Sequence, residues 1–287
     1  MSEEHIDEVS GVKTTGHEWD GIRELDNPMP RWWLWTFYLC IIWAIGYAIA
    51  YPAIPLINSA TPGLLGYSSR ADVAADLAQA KVAQGALLEK IAATPVEDIA
   101  SDQELLQFAI AGGESAFKVN CAQCHGSGAA GSAGYPNLND DDWLWGGTID
   151  QIYLSIAHGI RDETDDNTRV SEMPAFADIL EPRQINEVAA YVISLSDTPS
   201  DAALVEPGAE VYAENCAACH GDDGEGVIDF GAPRLSDGIW LMGSSEAQIV
   251  AQVRAPKHGV MPAWLGRLGE PVIKQLAVYV HTLGGGQ

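Results

Sequence analysis

Two stretches of this chain repeat one another, and both close on Cys-x-x-Cys-His. The segment GESAFKVNCAQCHG at 113–126 aligns with GAEVYAENCAACHG at 208–221, placing Cys121 and Cys216 95 residues apart. The correspondence continues in order: Pro136 and Leu138 match Pro233 and Leu235, and Trp143 and Gly146 match Trp240 and Gly243. Met173-Pro174-Ala175-Phe176 then matches Met261-Pro262-Ala263-Trp264, and Ile185 to Val192 matches Ile273 to Val280. Two copies are too few for a solenoid, so the repeat reads as a duplicated small domain. Its coarse fold is expected to be small and all-α.

Cys-x-x-Cys-His is the attachment pattern of c-type haem. The two thiols add across the vinyl groups of one porphyrin edge, and the adjacent histidine then lies beneath the iron. Cys121, Cys124, Cys216 and Cys219 are therefore the covalent attachment residues, with His125 and His220 as proximal ligands. A redox dithiol and half of a zinc site share the pattern. A zinc site in a duplicated domain would more often show four Cys or His ligands per copy. The five cysteines are too few and too regular for a disulfide framework. The fifth, Cys40, stands alone in an apolar run and reads as a small apolar residue.

Each iron needs a sixth ligand. Met173 lies 48 residues after His125, and Met261 lies 41 after His220, both before Pro-Ala-aromatic. A thioether raises the reduction potential relative to an all-nitrogen site. Met173 and Met261 are assigned as distal ligands, each expected to serve the histidine of its own repeat, giving two covalent low-spin His/Met haem c groups. Met242 is the rival in the second repeat, but it aligns with Trp145 and reads as packing. His158 and His258 stand 15 and 3 residues before the methionines, so they are not equivalent and take a surface or propionate-side role. Tyr191 and Tyr279, on the closing amphipathic helices, are expected to pack on the opening helices that carry Phe117 and Tyr212.

Upstream, no charged residue occurs between Arg31 and Arg70. The run Trp32–Tyr51 is 20 residues long; at ~1.5 Å per residue a helix of that length spans roughly 30 Å, one bilayer core. Trp32, Trp33 and Trp35 at its start and Tyr47 and Tyr51 near its end have interfacial placement. Ala48-Ile49-Ala50 fits a small-x-small cleavage pattern, but a signal peptide wants a short basic leader. Here residues 1–31 carry eight acids and three bases. The run is read as a retained single-pass anchor. The organisation is then 1–31 N-terminal polar segment, 32–57 anchor, 58–103 helical linker, 104–197 first haem domain and 202–287 second, joined by the polar stretch 196–201.

The net charge of −25 excludes a generic nucleic-acid binder, which needs a basic surface. Residues 108–287 hold 25 acids and 9 bases, with clusters at Asp140–Asp142, Asp162–Asp166 and Asp222–Glu225. These are either solvated loops or a docking surface for a basic protein.

Together, one N-terminal span, two class I cytochrome c repeats and the pre-span segment ELDNPMPRWW at 24–33 resemble the CcoP/FixP subunit family of cbb3-type cytochrome c oxidases. Some members have two spans; this chain shows one. The resemblance implies an inner-membrane subunit with its haem domains in the periplasm. It would take electrons from a basic donor cytochrome c or a bc1 complex. Its partners would be the monohaem c subunit and the haem–copper subunit that reduces oxygen. The chain itself would relay electrons, with no catalytic residues of its own. Lys13, Arg23 and Arg31 before the span give thin positive-inside support. The alternatives are a free membrane-anchored dihaem cytochrome serving another reductase or dehydrogenase, a dihaem peroxidase needing one open iron position, and a redox sensor.

Overall fold

A computed structural model describes residues 5–286; the first four residues of the acidic N-terminal segment and Gln287 lie outside it. The chain divides into two compact units, residues 1–81 and 82–287.

The first unit opens with an antiparallel hairpin of β1 (Thr14–Trp19) and β2 (Ile22–Leu25), pairing Trp19 with Ile22. Asp20 (φ 53°) and Gly21 (φ 81°) form its two-residue turn. Asp-Gly suits a turn that demands positive φ at both positions and matches the twist of the strands. The sequence reading of 1–31 as a plain polar segment missed this hairpin. Next comes α1 (Arg31–Ala50), opened by Pro30 and with no buried residue. Its mean hydropathy is 1.7, long and apolar enough to cross a membrane. Apolar side chains all round are what lipid accepts, because a helix satisfies its own backbone. The helix ends earlier than the expected anchor limit of 57. Leu64 and Leu65 donate backbone N–H groups to the carbonyls of Ile49 and Ala50, at 2.9 and 3.0 Å, satisfying two terminal acceptors.

Among the described residues, the second unit takes in the end of α2 (Ser69–Ala93) and nine further α-helices. These are α3 (Gln103–Asn120), α4 (Ala122–His125), α5 (Ile149–His158), α6 (Pro182–Ser194), α7 (Val205–Asn215), α8 (Ala217–His220), α9 (Glu246–Arg254), α10 (Leu265–Leu268) and α11 (Glu270–His281). They build two hydrophobic cores. One unites Ile91, Ile99, Leu105, Phe117, Ile152 and Ile156 with Ile273, Leu276 and Val280. The other unites Phe176, Ile185, Val188 and Val192 with Tyr212, Ile249 and Val253.

The two lobes therefore cut across the two sequence repeats. The opening helix α3 of the first repeat packs on α11, the closing helix of the second; α6, which closes the first repeat, packs on α7, which opens the second. The aromatic pairs follow the same crossing, Phe117 with Tyr279 at 5.5 Å and Tyr191 with Tyr212 at 5.0 Å. Lobe one is built from α3–α5 plus α10–α11, and lobe two from the continuous run α6–α9. Both crossings depend on a glycine at equivalent positions. A Cβ on Gly113 would overlap the Gln275 carbonyl, and one on Gly208 the Glu187 carbonyl. Only a bare Cα lets the backbones approach this closely. Phe117 and Tyr212 are each 1% exposed, and burying a side chain of that size stabilises by about 1.5–3 kcal/mol.

The 58–103 stretch does more than link. Ile91, Val96 and Ile99 are buried in lobe one. The buried Lys274 of α11 donates from Nζ to the carbonyls of Ala92 and Thr94 at 2.8 and 2.9 Å, capping the end of α2. A cation there also complements the helix dipole. Equivalent capping boxes start α5 (Thr148 with Gln151) and α9 (Ser245 with Gln248).

Candidate functional site

Both Cys-x-x-Cys-His segments fold as one helical turn at the end of a longer helix. Cys121 begins the turn of α4, and His125 N donates to Cys121 O at 3.0 Å; His220 N and Cys216 O repeat this at 3.0 Å in α8. Spacings of three and four residues put both sulfurs and the imidazole on one helical face. Gly126 (φ 80°) and Gly221 (φ 82°) then turn the chain away.

The histidines are set identically. His125 Nδ1–H donates to Pro136 O at 3.1 Å, and His220 Nδ1–H donates to Pro233 O at 3.1 Å. A carbonyl can only accept, so Nδ1 carries the proton and Nε2 keeps a free lone pair. Burial lowers the pKa of both rings. Both are thus neutral and able to bind a metal at neutral pH.

Two apolar pockets lie against these histidines. The lobe-one pocket is lined by Cys121, His125, Leu138, Trp143, Ile156 and Met261. The lobe-two pocket is lined by Cys216, Cys219, His220, Met173, Trp240 and Ile249. The methionines are therefore crossed. Sequence order paired Met173 with His125 and Met261 with His220, whereas Met261 faces the pocket of His125 and Met173 that of His220. The physical reason is the helix exchange, since each methionine loop precedes the closing helix that has moved to the other lobe. Leu144 lines both pockets.

Met261 is pinned by the first repeat. Ile160 N donates to Met261 O at 2.9 Å and Met261 N to Ile160 O at 3.0 Å. Asp162 accepts from Ala263 N at 2.6 Å through Oδ2, and its hydrogen bonds to Thr164 and Ala263 hold its pKa down at about 2. Gly159 sits so close that a Cβ would overlap the Met261 carbonyl. Met242 shares the lobe-two pocket, as its counterpart Trp145 shares that of lobe one. His158 Nδ1 lies 3.2 Å from the Asp165 carboxylate, while His258 lines the lobe-two pocket. Asp162 and Asp165 thus have internal partners, which weakens the acidic 162–166 stretch as a docking surface. Sequence reasoning missed Gly159, Arg161 and Leu144 and read Asp162 only as part of an acidic cluster; the unequal His-Gly to Met spacing was the one signal that this region differs between repeats.

The chemistry of the donor set suits haem c. Burial pushes the Cys121 and Cys216 thiols up to about 11. A redox dithiol wants the opposite, a lowered pKa and a ready thiolate. A neutral thiol beside an apolar slot, an imidazole with a free Nε2 and a thioether fit a covalently attached, six-coordinate haem. The donor set defines the class as c-type cytochromes, here on a chain with an apolar helix long enough to cross a membrane.

Comparison with known proteins narrows the class. Residues 11–58 match the family described as the N-terminal domain of cytochrome oxidase-cbb3, FixP. Residues 108–192 and 203–280 match cytochrome c oxidase, cbb3-type, subunit III. The chain is 63% identical over 286 residues to the cbb3-type cytochrome c oxidase subunit FixPc of Rhizobium leguminosarum bv. viciae, covering 100% of both. It is 62% identical over 283 residues to FixP of Sinorhizobium medicae, covering 99% of this chain and 98% of that one. To the CcoP subunit of Cereibacter sphaeroides it is 55% identical over 276 residues, covering 96% and 95%. The chain belongs to the FixP/CcoP family of cbb3-type cytochrome c oxidase subunits. Its cytochrome c domains imply haem c binding and a role in electron transfer.

Proposed function

We propose that this chain is the dihaem relay of a cbb3-type oxidase. It would take electrons from a basic donor cytochrome c or a bc1 complex and pass them, through the monohaem c subunit, towards the haem–copper subunit. The observation that carries this reading is the pair of His/Met-lined pockets sharing the Leu144 wall. Haem c held there would supply a reversible one-electron iron couple. Cys121 and Cys124 anchor one group and Cys216 and Cys219 the other. The Pro136 and Pro233 carbonyls orient the proximal imidazoles and raise their basicity. Met261 completes the site of His125, and Met173 that of His220. Met173 is preferred to Met242 because it is the counterpart of Met261 in the repeat. A methionine for each site leaves no open position, which disfavours peroxidase chemistry.

In this reading α1 is the single-pass inner-membrane anchor, with residues 1–31 cytoplasmic and the haem lobes periplasmic, where haem c is attached. The match of residues 11–58 to the FixP N-terminal family supports membership of an oxidase over a free anchored cytochrome. The exposed Asp141 and the exposed Asp222, Asp223 and Glu225 are the acidic groups that a basic donor would meet. Purification from membranes in mild detergent tests the function. Co-purification with a haem–copper subunit, and oxygen uptake through reduced c haems, is the expected result. A lone low-spin dihaem protein would turn the assignment to the free carrier. Reduction by a basic cytochrome c should slow as ionic strength rises; a flat salt profile would remove the acidic docking surface.

A further inference from the structure

The short segment Gly159–Asp162 lies between the two chains that carry the methionines. On one side Ile160 forms an isolated antiparallel bridge with Met261; on the other it forms a parallel bridge with Arg169, on the extended stretch that runs on to Met173. Arg161 N donates to Arg169 O at 2.8 Å. The Arg161 side chain then repeats this double engagement. Its Nε donates to Gly259 O at 2.7 Å, two residues before Met261, and its Nη1 donates to Ser171 O at 2.8 Å, two residues before Met173. The residue itself adopts φ 54°, the left-handed region that an L side chain rarely enters. The surrounding contacts hold it there.

We propose that Arg161 is a positioning residue shared by both methionine loops, so that one guanidinium sets the distal ligation of both lobes. The inference rests on the assignment of Met173 and Met261 as ligands. The fork geometry matters: two donors of one rigid plane reach two carbonyls on different loops. A lysine ammonium is a compact charge on a flexible stem and lacks the planar fork that spans these two loops. Charge-assisted hydrogen bonds to carbonyls are among the stronger polar contacts, so losing them loosens the loops on either side. Each methionine then yields more readily to a competing ligand.

The test uses the full haem-loaded chain. In the reduced protein each iron-bound methionine gives its own upfield-shifted methyl proton signal, and in the oxidised protein imidazole competes with each thioether. Met173→Leu and Met261→Leu assign the two methyl signals. Arg161→Lys and Arg161→Gln should then shift or broaden both signals and raise imidazole affinity at both irons by about tenfold. Attached haem and helix content should be unchanged. Arg254→Gln removes the same charge from an exposed position on α9 and should change neither. Failure of both methionine variants to remove a signal would overturn the ligand assignment itself. With that assignment intact, a response at only one iron, or at none, in Arg161→Lys and Arg161→Gln overturns the shared role.

Discussion

Single residues decide how firmly each thioether is held. Gly159 is the clearest case, because its missing Cβ makes room for the Met261 carbonyl and its φ of 69° is left-handed. Gly159→Ala must displace that loop. It should cost about 1–3 kcal/mol and weaken the methionine-to-iron charge-transfer band of the lobe-one haem while sparing the other, as absorbance at the red end of the visible spectrum will show. In lobe two, Met173→Leu should remove that band from the haem of His220 and Met242→Leu should leave it; the same spectrum reads both. Asp142, on the wall of the lobe-one pocket, carries a pH effect. Burial and the nearby Asp237, Asp140 and Asp141 raise its pKa to about 6 from 3.8, against a smaller opposing pull from Arg234. The unfolded carboxyl therefore ionises first. Stability falls as pH rises from the unfolded value towards about 6, and the penalty is complete above that. Asp142→Asn should raise the denaturation midpoint at pH 7 and change it little at pH 4.

At the scale of elements, the exchanged helices govern stability. Gly208→Val would drive two branched methyls into the backbone of α6, where a Cβ alone already overlaps the Glu187 carbonyl. Overpacking of this kind costs about 1–3 kcal/mol, and denaturant titration of the haem-loaded chain should register it. Much of the element list was legible in the sequence. The Cys-x-x-Cys-His turns, the 20-residue apolar helix and the amphipathic closing helices all announce themselves by spacing. The exchange did not, for a physical reason. Both repeats present the same small-residue crossing and the same aromatic, Phe117 against Tyr212 and Tyr279 against Tyr191, so either partner satisfies the apolar pattern. Pairing is then chosen by the connections, namely the Gly159–Asp162 segment and the loop to Met261, whose backbone hydrogen bonds leave no periodic trace. The hairpin at Asp20-Gly21 did carry a turn signal, but its flanks lack the alternation that marks a strand.

At the scale of the whole molecule, the crossing means that a sequence repeat is not a folding unit. Residues 161–259 contain all of lobe two, including Met173, α6–α9 and the Cys216–His220 turn. The second sequence repeat, 202–287, lacks α6 and Met173. The 161–259 fragment should hold one haem with methionine ligation and unfold cooperatively, whereas 202–287 should not; circular dichroism and the charge-transfer band of each fragment decide. Joining both lobes through two crossing segments also sets the pockets side by side at Leu144. The crossed assignment of ligands is tested most directly in the full-length chain with one attachment site disabled. Cys121→Ala with Cys124→Ala leaves only the haem at Cys216, Cys219 and His220. In that background the crossed assignment predicts that Met173→Leu abolishes the charge-transfer band and Met261→Leu preserves it. Loss of the band on Met261→Leu, with Met173→Leu silent, would contradict it.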